Sequence, residues 1–85
     1  MIKQLATETI ALLGGSDNIT EIDHCITRVR IKVADYAKVD FPQLSKEYDS
    51  AVKGVVEGSV HLVVNQYKHD FTTGDIATEL KALKG

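Results

Sequence analysis

The segment from Arg28 to Val33 constrains the fold more than any other stretch of this 85-residue chain. Apolar residues stand at its odd positions and basic residues at its even positions. Successive side chains of a β-strand point to opposite faces, so this alternation predicts a strand with one buried face and one wet face. The chain must therefore contain a sheet that is covered on one side, and the basic side chains of Arg28, Arg30 and Lys32 line its open side.

Helical patterns flank and interrupt the strands. Each shows apolar residues at helical spacing, a signal for the start or end of a helix, or both. They are the stripe over 1–13 that ends at Gly14-Gly15, the N-cap pattern at Asp40-Phe41-Pro42-Gln43, and the capping pair Thr72 and Asp75 before the last apolar stripe.

Three further segments read as strands. Ile19 to His24 is short and rich in β-forming residues, and we expect residues 54–57 and 60–64 to form a hairpin around a Gly58-Ser59 turn. The resulting order is α-β-β-α-β-β-α, without the regular strand–helix–strand repeat of a doubly wound fold. This order predicts an α+β sandwich, in which three helices pack on one face of a four-stranded antiparallel sheet.

Composition and charge narrow the class of protein. The chain is 44% hydrophobic and 26% charged, which is ordinary for one globular domain, here residues 1–85. The formal net charge of −2 argues against nucleic acid as a partner. No apolar run approaches the roughly 18 residues of a membrane span, and the N-terminus lacks a signal pattern. We therefore expect an intracellular domain without an internal disulfide, since the chain has one cysteine.

That cysteine lies beside both arginines of the chain. Arg28 and Arg30 are within five residues of Cys25, at the expected turn before the alternating strand. Nearby cations favour a thiolate, free N–H groups of a turn can bind an anion, and the guanidinium fork suits phosphate. This arrangement suits a nucleophile that meets or becomes an oxyanion. A lone cysteine is more often a small buried hydrophobe, and on the residues alone the two interpretations weigh equally.

Other cysteine chemistries fit less well. A tyrosine-phosphatase loop needs five residues between cysteine and arginine, and a thioredoxin-like site needs a second cysteine. The histidines, at positions 24, 61 and 69, show no metal-ligand spacing with Cys25, so we expect no metal. A histidine base for Cys25 is neither excluded nor supported. We expect His61 to be an ordinary surface histidine.

A longer pattern around Cys25 resembles a known family. It reads Gly14-Gly15-x-x-Asn18-Ile19-x-x-x-Asp23-His24-Cys25-Ile26-Thr27-Arg28-Val29-Arg30. This is similar to the phosphocysteine motif of the B domains of enzyme II in the bacterial sugar phosphotransferase system, of the glucose/sucrose type. Val29, where leucine is usual, is the one departure.

The resemblance implies a phosphocarrier that works without a cofactor. A phosphohistidine of an A domain would phosphorylate Cys25, which would pass the phosphoryl group to a sugar in a membrane-embedded C domain. By the same resemblance Thr27, Arg28 and Arg30 belong to the site. We assign the N–H groups of Ile26, Thr27 and Arg28 to the phosphoryl oxygens, and the two arginines to onward transfer. We expect the acidic residue that precedes the motif's cysteine, Asp23, to point away or to anchor the turn.

The resemblance also implies a place in the cell and a rival function. The domain would be cytoplasmic, at the inner face of the membrane when joined to or docked on the C domain, either as a free protein or as part of a longer permease. The rival is a non-catalytic interaction or regulatory module of the same fold, for example one bound by a transcription regulator. The second half departs from the family at 46–53, Val60-His61, Val64-Asn65 and the long link 66–73.

Overall fold

The computed structural model describes residues 2–65 and 67–84. Within them the predicted order of helices and strands is confirmed. The elements are α1 (Ile2–Leu12), β1 (Ile19–His24), β2 (Arg28–Val33), α2 (Phe41–Glu47), β3 (Ser50–Lys53), β4 (Ser59–Val63) and α3 (Thr73–Lys84). Short 3-10 turns lie at Ser16–Asn18 and Tyr36–Lys38. Met1, where the sequence pattern of the first helix begins, is outside the described residues.

The four strands form one antiparallel sheet in the order β1-β2-β4-β3. After β2 the chain passes through α2 to β3 at the edge of the sheet, and β4 then lies between β2 and β3. As a result β2, which follows the cysteine, is a central strand with β1 on one side and β4 on the other.

The helices cover one face of this sheet, as the alternation in β2 predicts. Val29, Ile31 and Val33 are buried, whereas the even residues of β2 are exposed. Helix α3 packs against β1 and β2, α1 packs against α3, and α2 lies beside β3. The largest fully buried side chains include Leu13, Ile31, Leu44, Leu62, Ile76 and Leu80. Burial of such residues gives most of the free energy that stabilises a domain of this size.

Local signals set the ends of the helices. Gly14 and Gly15 have φ values of 99° and 93°, and the Gly15 N–H donates to the Ile10 carbonyl, so the glycine pair ends α1. The Asp40 carboxylate accepts from the Gln43 N–H at 3.1 Å and caps α2. Thr72 and Asp75 exchange side-chain to backbone hydrogen bonds at the start of α3. The predicted caps are confirmed.

The predicted hairpin is wrong in its first strand. Strand β3 is Ser50–Lys53, not 54–57, and residues 54–58 form the connection to β4. Ala51 faces Leu62 in the core, while Val55 and Val56 are 104% and 60% exposed. Pairing with β4 therefore outweighs the β-propensity of the two valines. Gly58, with φ 85°, closes this longer loop rather than a two-residue turn.

Candidate functional site

Cys25 lies in the three-residue connection between β1 and β2, where the sequence pattern places it. The Cys25 N–H donates to the Arg28 carbonyl at 2.8 Å, which closes the loop immediately above the β1–β2 ladder. The side chain is half-buried and the thiol is free. Cys25 is therefore not a core hydrophobe, and its sulfur is open to chemistry.

Two long-range hydrogen bonds hold this loop. The Val64 N–H, just beyond β4, donates to the Thr27 carbonyl at 2.9 Å. From the other side, the Thr73 hydroxyl donates to the Cys25 carbonyl. Thr73 is the first residue of α3 and is buried. The loop is thus tied both to the sheet and to the positive end of a helix dipole.

The loop lowers the pKa of the Cys25 thiol below its ordinary value. The main cause is the Thr27 N–H, which donates to the sulfur. The Arg28 N–H, the Thr27 hydroxyl and the charge of Arg30 act in the same direction, and partial burial opposes them. Hydrogen bonds and positive charge that stabilise a thiolate also stabilise a phosphoryl group bound to the same sulfur, because both carry negative charge at that position.

The two arginines lie on the open face of the sheet but differ in their surroundings. Arg30 faces Asp23 of β1 on one side and His61 of β4 on the other. Arg28 reaches diagonally across β4, and its Nη1 lies 3.2 Å from Nδ1 of His61. The guanidinium whose charge acts on the thiol is that of Arg30, while Arg28 is held over β4.

The remaining residues of the motif have distinct places. The Asp23 carboxylate accepts a hydrogen bond from the N–H of the next residue, His24, at 2.8 Å, and it forms no ion pair with either arginine. This hydrogen bond lies at the end of β1, immediately before the cysteine loop. Ile26 stands at the tip of the loop with its side chain 77% exposed.

A cleft of about 360 Å³ opens beside the sulfur, between the cysteine loop and α3. It is lined by His24, Cys25, Ile26, Thr72, Thr73 and Gly74. A larger groove of about 800 Å³ lies along α1 and α3 and carries five carboxylates, those of Glu8, Glu47, Asp70, Asp75 and Glu79. Those carboxylates would repel a phosphoryl group, so charge selects the smaller cleft as the candidate site.

The sequence interpretation missed the residues that come from distant parts of the chain. Thr73 and Gly74 were not singled out, although the capping pair around them marks the helix start that meets Cys25. His61 was interpreted as ordinary surface, yet it contacts Arg28. The alternation of Val60, His61 and Leu62 already places His61 on the open face with the arginines, but it does not indicate the contact with Arg28.

Comparison with known proteins finds relatives of one family. The family model described as phosphotransferase system, EIIB, matches residues 7–40, which include the cysteine loop and β2. The chain is 31% identical over 83 residues to the PTS system MurNAc-GlcNAc-specific EIIBC component of Staphylococcus haemolyticus, a match over 98% of this chain and 16% of that protein. It is 40% identical over 63 residues to the N-acetylglucosamine-specific EIICBA component of Escherichia coli, over 74% of this chain and 10% of that protein.

A third relative is the MurNAc-GlcNAc-specific EIIBC component of Staphylococcus epidermidis, 49% identical over 55 residues, which are 65% of this chain and 11% of that protein. The chain thus spans a small part of each relative. The fold and the matches together define the class of protein: an α+β domain of the kind found in phosphotransferase-system components. The chain belongs to the EIIB family of the phosphotransferase system. Among the described residues, no helix is both long and apolar enough to cross a membrane.

Proposed function

We propose that this domain is a phosphocarrier for sugar uptake, with Cys25 as the residue that carries the phosphoryl group. The observation that carries the proposal is the loop around the sulfur. Its backbone N–H groups at Thr27 and Arg28 and the charge of Arg30 all favour an anion at Cys25. Membership of the EIIB family supports a role in phosphotransfer.

In the first step the Cys25 thiolate attacks the phosphorus of a phosphohistidine on an A domain. The S–P bond forms as the P–N bond breaks, and the imidazole nitrogen keeps the electron pair. The lowered thiol pKa serves this step, because it raises the fraction of thiolate near neutral pH. We assign the N–H groups of Ile26, Thr27 and Arg28 to the phosphoryl oxygens.

In the second step a sugar hydroxyl in the C domain attacks the same phosphorus. The O–P bond forms, the S–P bond breaks with its electron pair left on the thiolate, and the hydroxyl proton goes to a base beside the sugar. Charge then spreads over three equatorial oxygens in the transition state. Arg28 and Arg30, exposed on the face next to Cys25, supply bidentate donors for those oxygens.

The site suits partners that approach it in turn. Ile26 gives an apolar contact at the loop tip, and the arginines beside it give charge for an acidic partner surface. The relatives named above are EIIBC and EIICBA components, which supports a membrane-embedded C domain and a phosphorylated A domain as partners. The domain would then work at the inner face of the membrane, within a longer permease or docked on one.

Phosphorylation of the purified domain tests this proposal. The domain is incubated with a phosphorylated A domain, and intact-mass and peptide spectra are recorded at neutral pH, where the thiophosphate is kept. We expect one added phosphoryl group on Cys25, and none on Cys25→Ser. Onward transfer is followed with N-acetylglucosamine and membranes that hold the Escherichia coli EIICBA relative with its own B-domain cysteine replaced.

The controls separate this function from the rival one. Cys25→Ser must keep the wild-type circular dichroism and melting temperature, so that its loss of label reports chemistry and not unfolding. Label on a histidine would contradict the cysteine mechanism. A domain that takes no phosphoryl group but binds its partners equally well with Cys25 replaced would be an interaction module.

A further inference from the structure

His61 occupies a fixed place between the two arginines on the open face of the sheet. It is directly opposite Arg30 in the β2–β4 register and one diagonal step from Arg28. Its Nδ1 is 3.2 Å from Nη1 of Arg28. A guanidinium carries donors and no acceptor, so Nδ1 must accept this hydrogen bond. The imidazole is therefore neutral, with its hydrogen on Nε2.

The other edge of the ring is fixed by the backbone. Gly54 lies beside it, and a Cβ at that position would be 2.8 Å from Nε2 and 3.2 Å from Cδ2 of His61. The ring thus fills the space that the absent side chain of Gly54 leaves. With backbone on one edge and a guanidinium on the other, the ring has little freedom to turn, and it fixes Arg28 in turn.

The charges around His61 oppose its protonation. From β2 it faces Arg28 and Arg30, from β3 it faces the uncharged Val52, and Asp23 of β1 lies beyond Arg30. The pKa of His61 is lowered from its ordinary value of 6.5, chiefly by partial burial and then by the two arginines. An imidazolium would lose the acceptor and repel Arg28. The hydrogen bond is therefore present at neutral pH and is lost as pH falls through the lowered pKa.

We propose that His61 is a positioning residue of the phosphotransfer site, which holds the Arg28 guanidinium in place for onward transfer and releases it when the imidazole is protonated. This rests on the proposed phosphocarrier function. His61 acts through Arg28 and does not touch the phosphorus. Acceptance at Cys25 does not depend on it, because the groups that favour the thiolate are the loop N–H groups, the Thr27 hydroxyl and Arg30.

Two substitutions of His61 separate the hydrogen bond from the titration. His61→Leu removes the acceptor, and we expect onward transfer to sugar to fall about tenfold, as for loss of a hydrogen bond to a charged group. His61→Gln keeps an acceptor oxygen but does not titrate. It should transfer the phosphoryl group to sugar at near the wild-type rate at neutral pH. Its transfer rate should not show the decrease that the wild type shows at acidic pH. Both variants should accept the phosphoryl group on Cys25 at the wild-type rate.

The matched control is His69→Leu, since His69 contacts Asp49 and Phe71 rather than an arginine. Nitrogen-15 spectra of the unmodified domain test the bond itself and show that each variant is folded. They should give an unprotonated Nδ1 on His61 at neutral pH and an Arg28 side-chain signal that moves as His61 titrates.

The outcomes distinguish this inference from the function on which it rests. If the wild-type domain takes no label on Cys25, the phosphocarrier function fails, and the role of His61 in transfer fails with it. If Cys25 is labelled but His61→Leu transfers at the wild-type rate with the wild-type pH profile, the inference alone is overturned. A protonated Nδ1 at neutral pH also overturns it alone.

Discussion

The hydroxyl of Thr73 donates a hydrogen bond to the carbonyl oxygen of Cys25 and so joins the first turn of α3 to the loop that carries the thiol. The two residues are 48 positions apart in the chain. Thr73 is buried, and the bond is partly buried where the first turn of α3 meets the loop. It couples the packing of α3 on the sheet to the position of the sulfur.

Thr73→Val keeps the shape of the side chain and removes the donor. We expect a loss of about 0.5–1.5 kcal/mol in the free energy of unfolding, because the Cys25 carbonyl loses its partner at a partly buried position. We also expect faster alkylation of the native thiol as the loop loosens. Urea denaturation and thiol labelling measure the two effects.

Thr78→Val, the same exchange on the exposed side of α3, is the control and should change neither quantity. Equal effects of both substitutions would show that helix propensity, and not the bond to Cys25, determines the result.

The rate of thiol alkylation should rise with pH at a midpoint below the ordinary pKa of cysteine, because the loop favours the thiolate. Thr27→Val removes the hydroxyl but keeps the dominant N–H donor, so it should raise the midpoint only part of the way. Thr7→Val, at an exposed position of α1, should leave the midpoint unchanged. A thiol that reacts only on unfolding would refute the site geometry.

The lowered pKa of the Cys25 thiol also determines the direction in which stability changes with pH. Since folding lowers the thiol pKa, Cys25 stabilises the folded state above its unfolded pKa. This contribution is lost as pH falls through the folded value.

For Arg28→Lys and Arg30→Lys we expect a free energy of unfolding within about 0.5 kcal/mol of the wild-type value, because both side chains are exposed. Each keeps its charge but loses the planar fork, so we expect at least about a tenfold loss of transfer to sugar while acceptance at Cys25 survives. Assays of the two steps with A-domain donor and C-domain membranes measure this split.

The reverse exchange Lys32→Arg, on the same face and paired with Glu21 at 3.9 Å, is the control and should not alter transfer. Wild-type transfer by both lysine variants would leave the arginines as ordinary surface residues.

Tyr48 should make the domain sensitive to alkali. Its hydroxyl is 2.7 Å from Oγ1 of Thr9 in the core, and burial raises the pKa of Tyr48 to about 12. The unfolded chain loses this proton first, near pH 10, so the free energy of unfolding falls between about pH 10 and 12. The full difference corresponds to roughly 3 kcal/mol.

For Tyr48→Phe, this part of the decrease in the free energy of unfolding at alkaline pH should be absent. At neutral pH the variant should be less stable by about 1 kcal/mol, because the hydrogen bond is lost. Urea denaturation from pH 7 to 12 compares it with Tyr67→Phe, whose ring is 91% exposed and whose profile should match the wild type. Identical slopes for all three proteins would mean that Tyr48 titrates freely.

Much of the site follows from the sequence because it is local. The alternation in Arg28–Val33 determines which face of β2 is buried, and with it the exposure of both arginines. The place of Cys25 in the turn follows from its position between two strand-forming segments. Likewise the glycine pair and the Asp40 cap act within one turn of the chain, so their signals are complete in a few residues.

What only the tertiary structure decided depends on residues that are distant in sequence. The third strand is Ser50–Lys53 because its pairing with β4 buries Ala51, which no local propensity indicates. The order β1-β2-β4-β3 then brings His61 to Arg28, and the packing of α3 brings Thr73 to Cys25. Register and helix packing are set by the sum of many non-local contacts, and local patterns cannot carry that information.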